Sequence, residues 1–293
     1  VMAIDLHIHS INSDGTDTVD EIVEKALEMQ LEAISITDHE YLTIPKKRDG
    51  IEIINGIEVS ANWNTVEDSN VFAGIHLLVY FLEEQSPITK HLENIRNLKI
   101  ERNKEIIKKL NKENIKIEES ELDKFPTKVP GRPHIAKIMY KKGYVNSINE
   151  AFVKYLGNGK VGDSRIHQEP IEKLIKLSKE SKCLIFLAHP HTLMSNKNYS
   201  SNQKWINNDF VSYIESLTEL GIDGLETNYS SYNSETTSKL SNIAKKFNLL
   251  ESGGSDYHGE NKPNINIGFG YENKPLKTPY EFLLKMKEKY AGI

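Results

Sequence analysis

The chain has 293 residues, 38% of them hydrophobic and 27% charged, which supports one or two domains with a sizeable core and excludes a disordered or fibrous protein. Its 37 basic and 42 acidic side chains leave a formal net charge of -5, so no overall basic field draws it onto nucleic acid and duplex DNA is not an expected partner. No run approaches the ~18 apolar residues that span a bilayer, and Val1 to His7 lacks a signal-peptide pattern, so the expected setting is cytoplasmic and away from membranes.

Short apolar runs alternate with amphipathic stretches, the pattern of strand-helix-strand units around a parallel sheet. Ala3 to Leu6 reads as a strand, and Thr18 with Glu21 has the capping-box spacing that opens a helix running to Met29. Strands follow at Ala33 to Thr37, Ile51 to Val59 and Leu77 to Phe81. Residues 88–167 break the rhythm with lysine-rich helical segments: a long helix near Thr89–Asn111, and a second in which Pro133 suits the first turn before Ile135, Ala136, Ile138 and Met139. The alternation resumes with a helix at Ile171–Ser181 and a strand at Leu184 to Ala188. Beside that strand the single cysteine, Cys183, reads as a buried thiol and excludes an intramolecular disulfide or a Cys-based zinc site. Helices at Phe210–Leu220 and Glu235–Phe247 and strands at Gly224 to Thr227 and Leu249 to Ser252 complete the series. About seven strands with intervening helices predict an α/β barrel built from residues 1–87 and 168–293, with 88–167 inserted as a helical subdomain.

Ligand-type side chains recur where these strands end. Asp5-Leu6-His7-Ile8-His9 closes the first, and Ser13-Asp14-Gly15 follows in a turn. Two apart on an extended segment, His7 and His9 point to the same side, where both imidazoles can grip one ion. Alone, the pair reads equally well as two histidines at a solvated strand end. Thr37-Asp38-His39, Gly56-Ile57-Glu58-Val59, Ala188-His189-Pro190-His191 and Gly254-Ser255-Asp256-Tyr257-His258 outweigh that reading, because side chains at the carboxyl ends of barrel strands converge on one mouth. His76 is the exception, since it starts its strand. Six histidines (His7, His9, His39, His76, His189, His258) and three carboxylates (Asp14, Glu58, Asp256) are too many for one tetrahedral zinc. They suit two or three divalent ions, with manganese expected first and iron or zinc as alternatives.

These motifs resemble the polymerase and histidinol phosphatase family of metal-dependent phosphoesterases, called PHP. The resemblance implies a distorted seven-stranded (β/α)7 barrel with a three-metal centre. It implies His7, His9, Glu58 and Asp256 on one ion, Glu58, His76 and His189 on a second, and Asp14, His39 and His258 on a third. Gly131-Arg132-Pro133-His134-Ile135-Ala136, Lys142-Gly143-Tyr144 and Tyr155-Leu156-Gly157 are similar to the branch holding the 3′,5′-nucleoside bisphosphate phosphatases and related 5′-to-3′ exoribonucleases. By that analogy Arg102, Arg132 and His134 bind substrate phosphate, and the insertion is the substrate-binding subdomain. Only five of the 37 basic residues are arginines, which adds weight to Arg102 and Arg132. Three departures stand out: Glu40 follows Asp38-His39 where the family often has Asp, read as a harmless change; Lys160-Val161-Gly162-Asp163-Ser164 lacks the Tyr-Val that this branch commonly shows near there; and His191 stands where glycine often follows His-Pro.

The expected reaction is hydrolysis of the 3′-phosphate of a nucleoside 3′,5′-bisphosphate, or of the ends of short RNA, by a metal-activated hydroxide. Asp256 and His258 are the candidates for proton transfer because they share a loop with ligands. No Gly-x-Ser-x-Gly nucleophile or P-loop appears, so covalent and nucleotide-driven schemes lack support. A histidinol-phosphate phosphatase, or a metal-bearing regulatory module without turnover, are the alternatives. Outside the ligand set, His91, His167 and His191 read as solvated, and Trp63 and Trp205 as packing residues.

Overall fold

In the computed structural model of the chain, residues 3–64, 71–164, 168–197 and 204–293 are described. β1 (Ile4–Ile8) is buried along its whole length, as a strand covered on both faces must be. α1 (Val19–Glu28) starts on the predicted capping box: the Glu21 amide donates to Thr18 Oγ1 at 3.3 Å and the Thr18 amide to Glu21 Oε2 at 2.7 Å. β2 (Ala33–Ile36) and β3 (Glu52–Ile53) lie parallel beside β1 in a three-stranded sheet ordered β1-β2-β3.

The single strand expected over Ile51 to Val59 is two. β3 ends on the first sheet, and β4 (Gly56–Asn64) begins a second sheet of six strands. The chain changes sheets at Gly56, where a Cβ would lie 2.5 Å from Ser35 Oγ, so only glycine permits so close a crossing. β5 (Val71–Tyr80) runs antiparallel to β4, with Ser60 opposite His76. β6 (Glu169–Pro170), β7 (Leu184–Leu187), β8 (Gly224–Tyr229) and β9 (Leu250–Gly254) complete the order β6-β4-β5-β7-β8-β9. β5 is antiparallel to β7 as well, and the remaining pairs are parallel. The reversal of β5 explains His76: on a strand running against its neighbours, the site residue precedes the buried run instead of following it.

The two sheets approach each other along two seams. At one, the Asp256 amide donates to the His7 carbonyl at 2.8 Å and the His9 amide to the Tyr257 carbonyl at 2.9 Å. At the other, the Glu40 amide donates to the Glu58 carbonyl at 3.0 Å and the Glu58 amide to the Asp38 carbonyl at 3.2 Å. The fold is therefore mixed α/β, rich in parallel strands, with its hydrogen bonding divided between two sheets. Helices α5 (Ile171–Glu180), α6 (Asn208–Leu220) and α7 (Ser234–Lys246) pack apolar faces on the larger sheet. Cys183 is buried in the same core, and burial pushes its thiol up to about 12. Trp63 and Trp205 are core residues too. α8 (Tyr280–Ala291), which the sequence reading does not contain, buries Leu283 and Met286 beneath β1 and β7.

Between β5 and β6 runs a helical segment with a core of its own. The first turns of α2 (Pro87–Lys112) bury Ile88, Leu92 and Ile95 in the core of the larger sheet. Ile106, Ile107 and Leu110 pack instead with residues of α3 (Arg132–Lys141), α4 (Ile148–Ala151) and the π-helical turn Phe152–Leu156. Thr127 Oγ1 donates to the Asn12 and Ser13 carbonyls at 3.1 and 2.7 Å, tying this segment to the loop after β1. His91 is not solvated: its Nε2 lies 2.9 Å from Glu169 Oε1, linking α2 to β6. His167 lies outside the described residues. Among the described residues no helix is long and apolar enough to cross a membrane.

Candidate metal centre

The nine predicted ligands come from both sheets and meet at one place. His7 and His9 leave β1 on the same side, and Asp14 is turned back towards them by Gly15, where a Cβ would sit 2.3 Å from the His9 carbonyl oxygen. Asp38 holds that turn without facing the site, accepting from the Ser10 amide at 2.8 Å, Ser10 Oγ at 2.5 Å, Ser13 Oγ at 2.6 Å and Thr43 Oγ1 at 2.5 Å. His189 and Asp256 follow β7 and β9 with φ of 26° and 59°, backbone conformations that cost energy in a non-glycine residue and aim each side chain inward.

Three groups of ligand atoms result: His7, His9, Glu58 and Asp256; Glu58, His76 and His189; and His9, Asp14, His39 and His258. Within each, the atoms lie no more than 4.8 Å apart. Glu58 Oε2 is 3.0 Å from His7 Nε2 and 2.8 Å from His9 Nε2, while its Oε1 is 2.8 Å from His76 Nδ1 and 2.9 Å from His189 Nε2. Asp256 Oδ1 is 3.3 Å from both His7 Nε2 and His9 Nε2, and His258 Nε2 is 3.1 Å from Asp14 Oδ1. Glu58 thus joins the first two groups and His9 joins the first and third.

The donors fit divalent ions. His39 Nδ1 is buried without a hydrogen-bond partner, an arrangement that costs free energy unless something else engages the lone pair. The far nitrogens of two other ligands are fixed: His7 Nδ1 donates to Glu226 Oε1 at 2.8 Å, and His258 Nδ1 to the Asp256 carbonyl at 2.7 Å, leaving each Nε2 lone pair facing the cluster. Electrostatics point the same way. Burial opposes charge on His9, yet Asp256, Glu58 and Asp14 raise it to about 10. Burial would also raise the carboxyls of Asp14, Glu58 and Asp256, yet the surrounding cations, histidines and for Asp256 first Lys262, hold all three well below the usual range. Burial meanwhile brings His76 down to about 4 and lowers His258, so ionised carboxylates stand beside imidazoles that give up their protons readily, the donor forms a divalent cation takes.

Above the cluster opens a cleft of about 260 Å³. Asp14, His39, Glu58, His76, His189, Asp256 and His258 form its floor, Asn261 and Lys262 one side, and Pro133, Lys137, Ile148 and Phe152 from the helical segment the roof. The three residues expected to bind substrate do not line it. Arg132 Nη1 donates to the Leu156 carbonyl at 3.0 Å. His134 Nδ1 accepts from the Gly131 amide at 3.0 Å, its ring packs on Phe125, the Ser13 carbonyl takes its other nitrogen, and burial holds it neutral with a pKa of about 4. Arg102 is 5% exposed, with no partner for Nε and with Glu40 and Asp163 attracting its charge.

Glu40 lies outside the ligand groups and is well connected. Its Oε2 accepts from Lys99 Nζ at 2.6 Å, its Oε1 from the Ser60 amide at 3.0 Å and its carbonyl from Arg96 at 2.8 Å, which ties α2 to β4 and the loop after β2. His191 is also packed, accepting at Nδ1 from the Tyr232 hydroxyl at 2.7 Å beside Tyr229 and Trp205. Sequence reasoning passes over Glu226, whose only signal is a carboxylate inside an apolar strand. It also passes over Tyr229 and Lys262, which donate to Asp256 Oδ2 at 2.7 and 2.5 Å.

Residues 5–223 match the PHP domain family. The chain belongs to that family. The PHP chain is 28% identical over 261 residues to a 5′-3′ exoribonuclease of Haemophilus influenzae, covering 87% of this chain and 89% of that one. It is 25% identical over 288 residues to a phosphoribosyl 1,2-cyclic phosphate 1,2-diphosphodiesterase of Eggerthella lenta, covering 92% and 98%. A 3′,5′-nucleoside bisphosphate phosphatase of Chromobacterium violaceum is 23% identical over 285 residues, 94% of each chain. In fold the PHP chain is similar to a protein of Bifidobacterium adolescentis solved as a candidate metal-dependent phosphoesterase, with a TM-score of 0.75 at 22% identity over 99% of this chain and 96% of that one.

Proposed function

We propose that this PHP protein is a metal-dependent phosphoric ester hydrolase that removes the 3′-phosphate of nucleoside 3′,5′-bisphosphates and acts on the ends of short RNA. The observation that carries the reading is the placement of three joined His/carboxylate groups on the floor of a cleft of about 260 Å³. Relatives named as an exoribonuclease and a bisphosphate phosphatase support the nucleotide class. On this reading the nine ligands hold two or three ions, manganese first, in a distorted barrel ringed by β1, β2, β4, β5, β7, β8 and β9, and residues 88–167 are the inserted subdomain that roofs the substrate.

When bound, the ions supply charge neutralisation of the phosphate ester and activation of water for in-line attack. The chain does the rest. Glu58 is shared, so it fixes the spacing of two groups at once. Asp256 keeps Oδ1 on the cluster while Tyr229 and Lys262 occupy Oδ2. That leaves Asp256 little room as a base, and His258, with Nδ1 on the Asp256 carbonyl and Nε2 turned to the third group, can move a proton only while Nε2 holds no ion. Arg132 and His134 hold the roof in place from behind, and Arg102 keeps a buried positive charge near the mouth.

The test is phosphate release by the manganese-loaded protein from adenosine 3′,5′-bisphosphate, beside AMP and histidinol phosphate. Preference for the bisphosphate, abolished in His7→Ala, is the expected result. Preference for histidinol phosphate, or turnover of a 1,2-cyclic phosphodiester alone, would overturn the substrate assignment.

A further inference from the structure

The cleft roof carries a cation that pairs directly with no described residue. Lys137 extends from the middle of α3 into the cleft and makes no hydrogen bond or ion pair with any described residue. Asp14 and Glu260 favour its charge from a distance, while burial and Lys141 oppose it. The other lysine lining the cleft, Lys262, is already engaged by Asp256. Around Lys137 the roof is apolar: Pro133 one turn earlier on the same helix, Ile148 and Phe152, all half-buried. A half-buried ammonium without a partner, beside an aromatic face and opposite a cation-binding floor, is arranged for a ligand with an anion at one end, a flat apolar body and a second anion for the floor.

We propose that Lys137 is the specificity residue of the cleft, binding the second, non-scissile phosphate of the substrate while Phe152 and Ile148 cover its base. This rests on the nucleotide reading above and assigns the distal anion to Lys137, where the sequence resemblance assigns it to Arg102, Arg132 and His134. Lysine binds phosphate as a point charge, so the site tolerates either a terminal phosphate or the next phosphodiester of an oligonucleotide.

The discriminating pair of substrates is adenosine 3′,5′-bisphosphate and 3′-AMP, which share the scissile ester and differ only in the distal phosphate. In Lys137→Ala, KM for the bisphosphate is expected to rise at least about tenfold with kcat little changed, while kcat/KM for 3′-AMP stays within about threefold; Lys137→Arg restores the preference. Equal loss on both substrates would place Lys137 on the scissile group, and no loss on either would remove it from binding; both overturn the proposal. If the wild-type protein turns over neither nucleotide, the substrate reading fails on its own. Calorimetric binding of the same two ligands to the same manganese-loaded protein then scores Lys137: a preference for the bisphosphate that disappears in Lys137→Ala sustains the anion subsite, and binding indifferent to the substitution ends it.

Discussion

Glu226 shows how much of the centre depends on a side chain that faces no substrate. It is fully buried, one oxygen accepting from His7 Nδ1 at 2.8 Å and the other from the His189 amide at 2.6 Å, so it orients ligands of two groups. Glu226→Gln keeps the shape but removes the charge that fixes the His7 tautomer. Metal affinity is expected to fall about 10–100-fold with the fold intact, read as metal content after equilibrium dialysis beside an unchanged circular dichroism spectrum. An unchanged metal content would mean that Glu226 only fills space. Most of the nine candidate ligands were legible because they stand at or just after the end of an apolar run, in residue types rarely left there without purpose; His76 precedes its run and Asp14 lies in the turn after one. Glu226 and Lys137 were not, because a carboxylate in a strand and a lysine on a lysine-rich helix acquire meaning only once the direction each faces is known.

At the scale of elements, the helical segment meets the two sheets through the apolar first turns of α2 and through charged and polar contacts, of which the Glu40–Lys99 pair can be separated from the rest by pH. Burial works to raise the Glu40 carboxyl, and Lys99 and His39 outweigh it to bring it down to about 2. A carboxyl depressed by folding contributes stability that is complete above its unfolded pKa and is lost as pH falls through the folded value. The wild-type protein is therefore expected to exceed Glu40→Gln in stability by roughly 1–3 kcal/mol near neutrality. That margin should shrink as pH drops from about 5 towards 2. Denaturant unfolding of both proteins across that range checks it, and a margin constant with pH would show that the pair does not anchor α2. The capping box of α1 and the long α2 were readable from spacing alone. α8 was not, since it begins after Pro279 without a side-chain cap and, of its apolar side chains, only Leu283 and Met286 are buried.

For the whole molecule, the centre draws on both sheets, so occupancy and global stability are linked. Ions that bind the folded chain and not the unfolded one stabilise it by about 2.7 kcal/mol at a hundredfold excess over Kd. Chelation should lower the unfolding temperature by roughly 5–10 °C, reversed on adding manganese, in a calorimetric scan. A temperature indifferent to chelation would mean that the seams between the sheets hold without help. The alternation of strand and helix gave the α/β class correctly. It missed the division into two sheets and the reversal of β5, because apolar periodicity marks a strand without marking its neighbour or its direction.

The order of the ligands along the chain has a consequence for synthesis. Of the three groups, only Glu58, His76 and His189 is complete before the last third of the chain; one of the others needs Asp256 and the other His258. A nascent chain emerging from the ribosome thus cannot assemble the joined centre until β9 and the loop after it are made. Free metal in the cell meets either a scattered set of donors or the finished nest, with one partial stage between them.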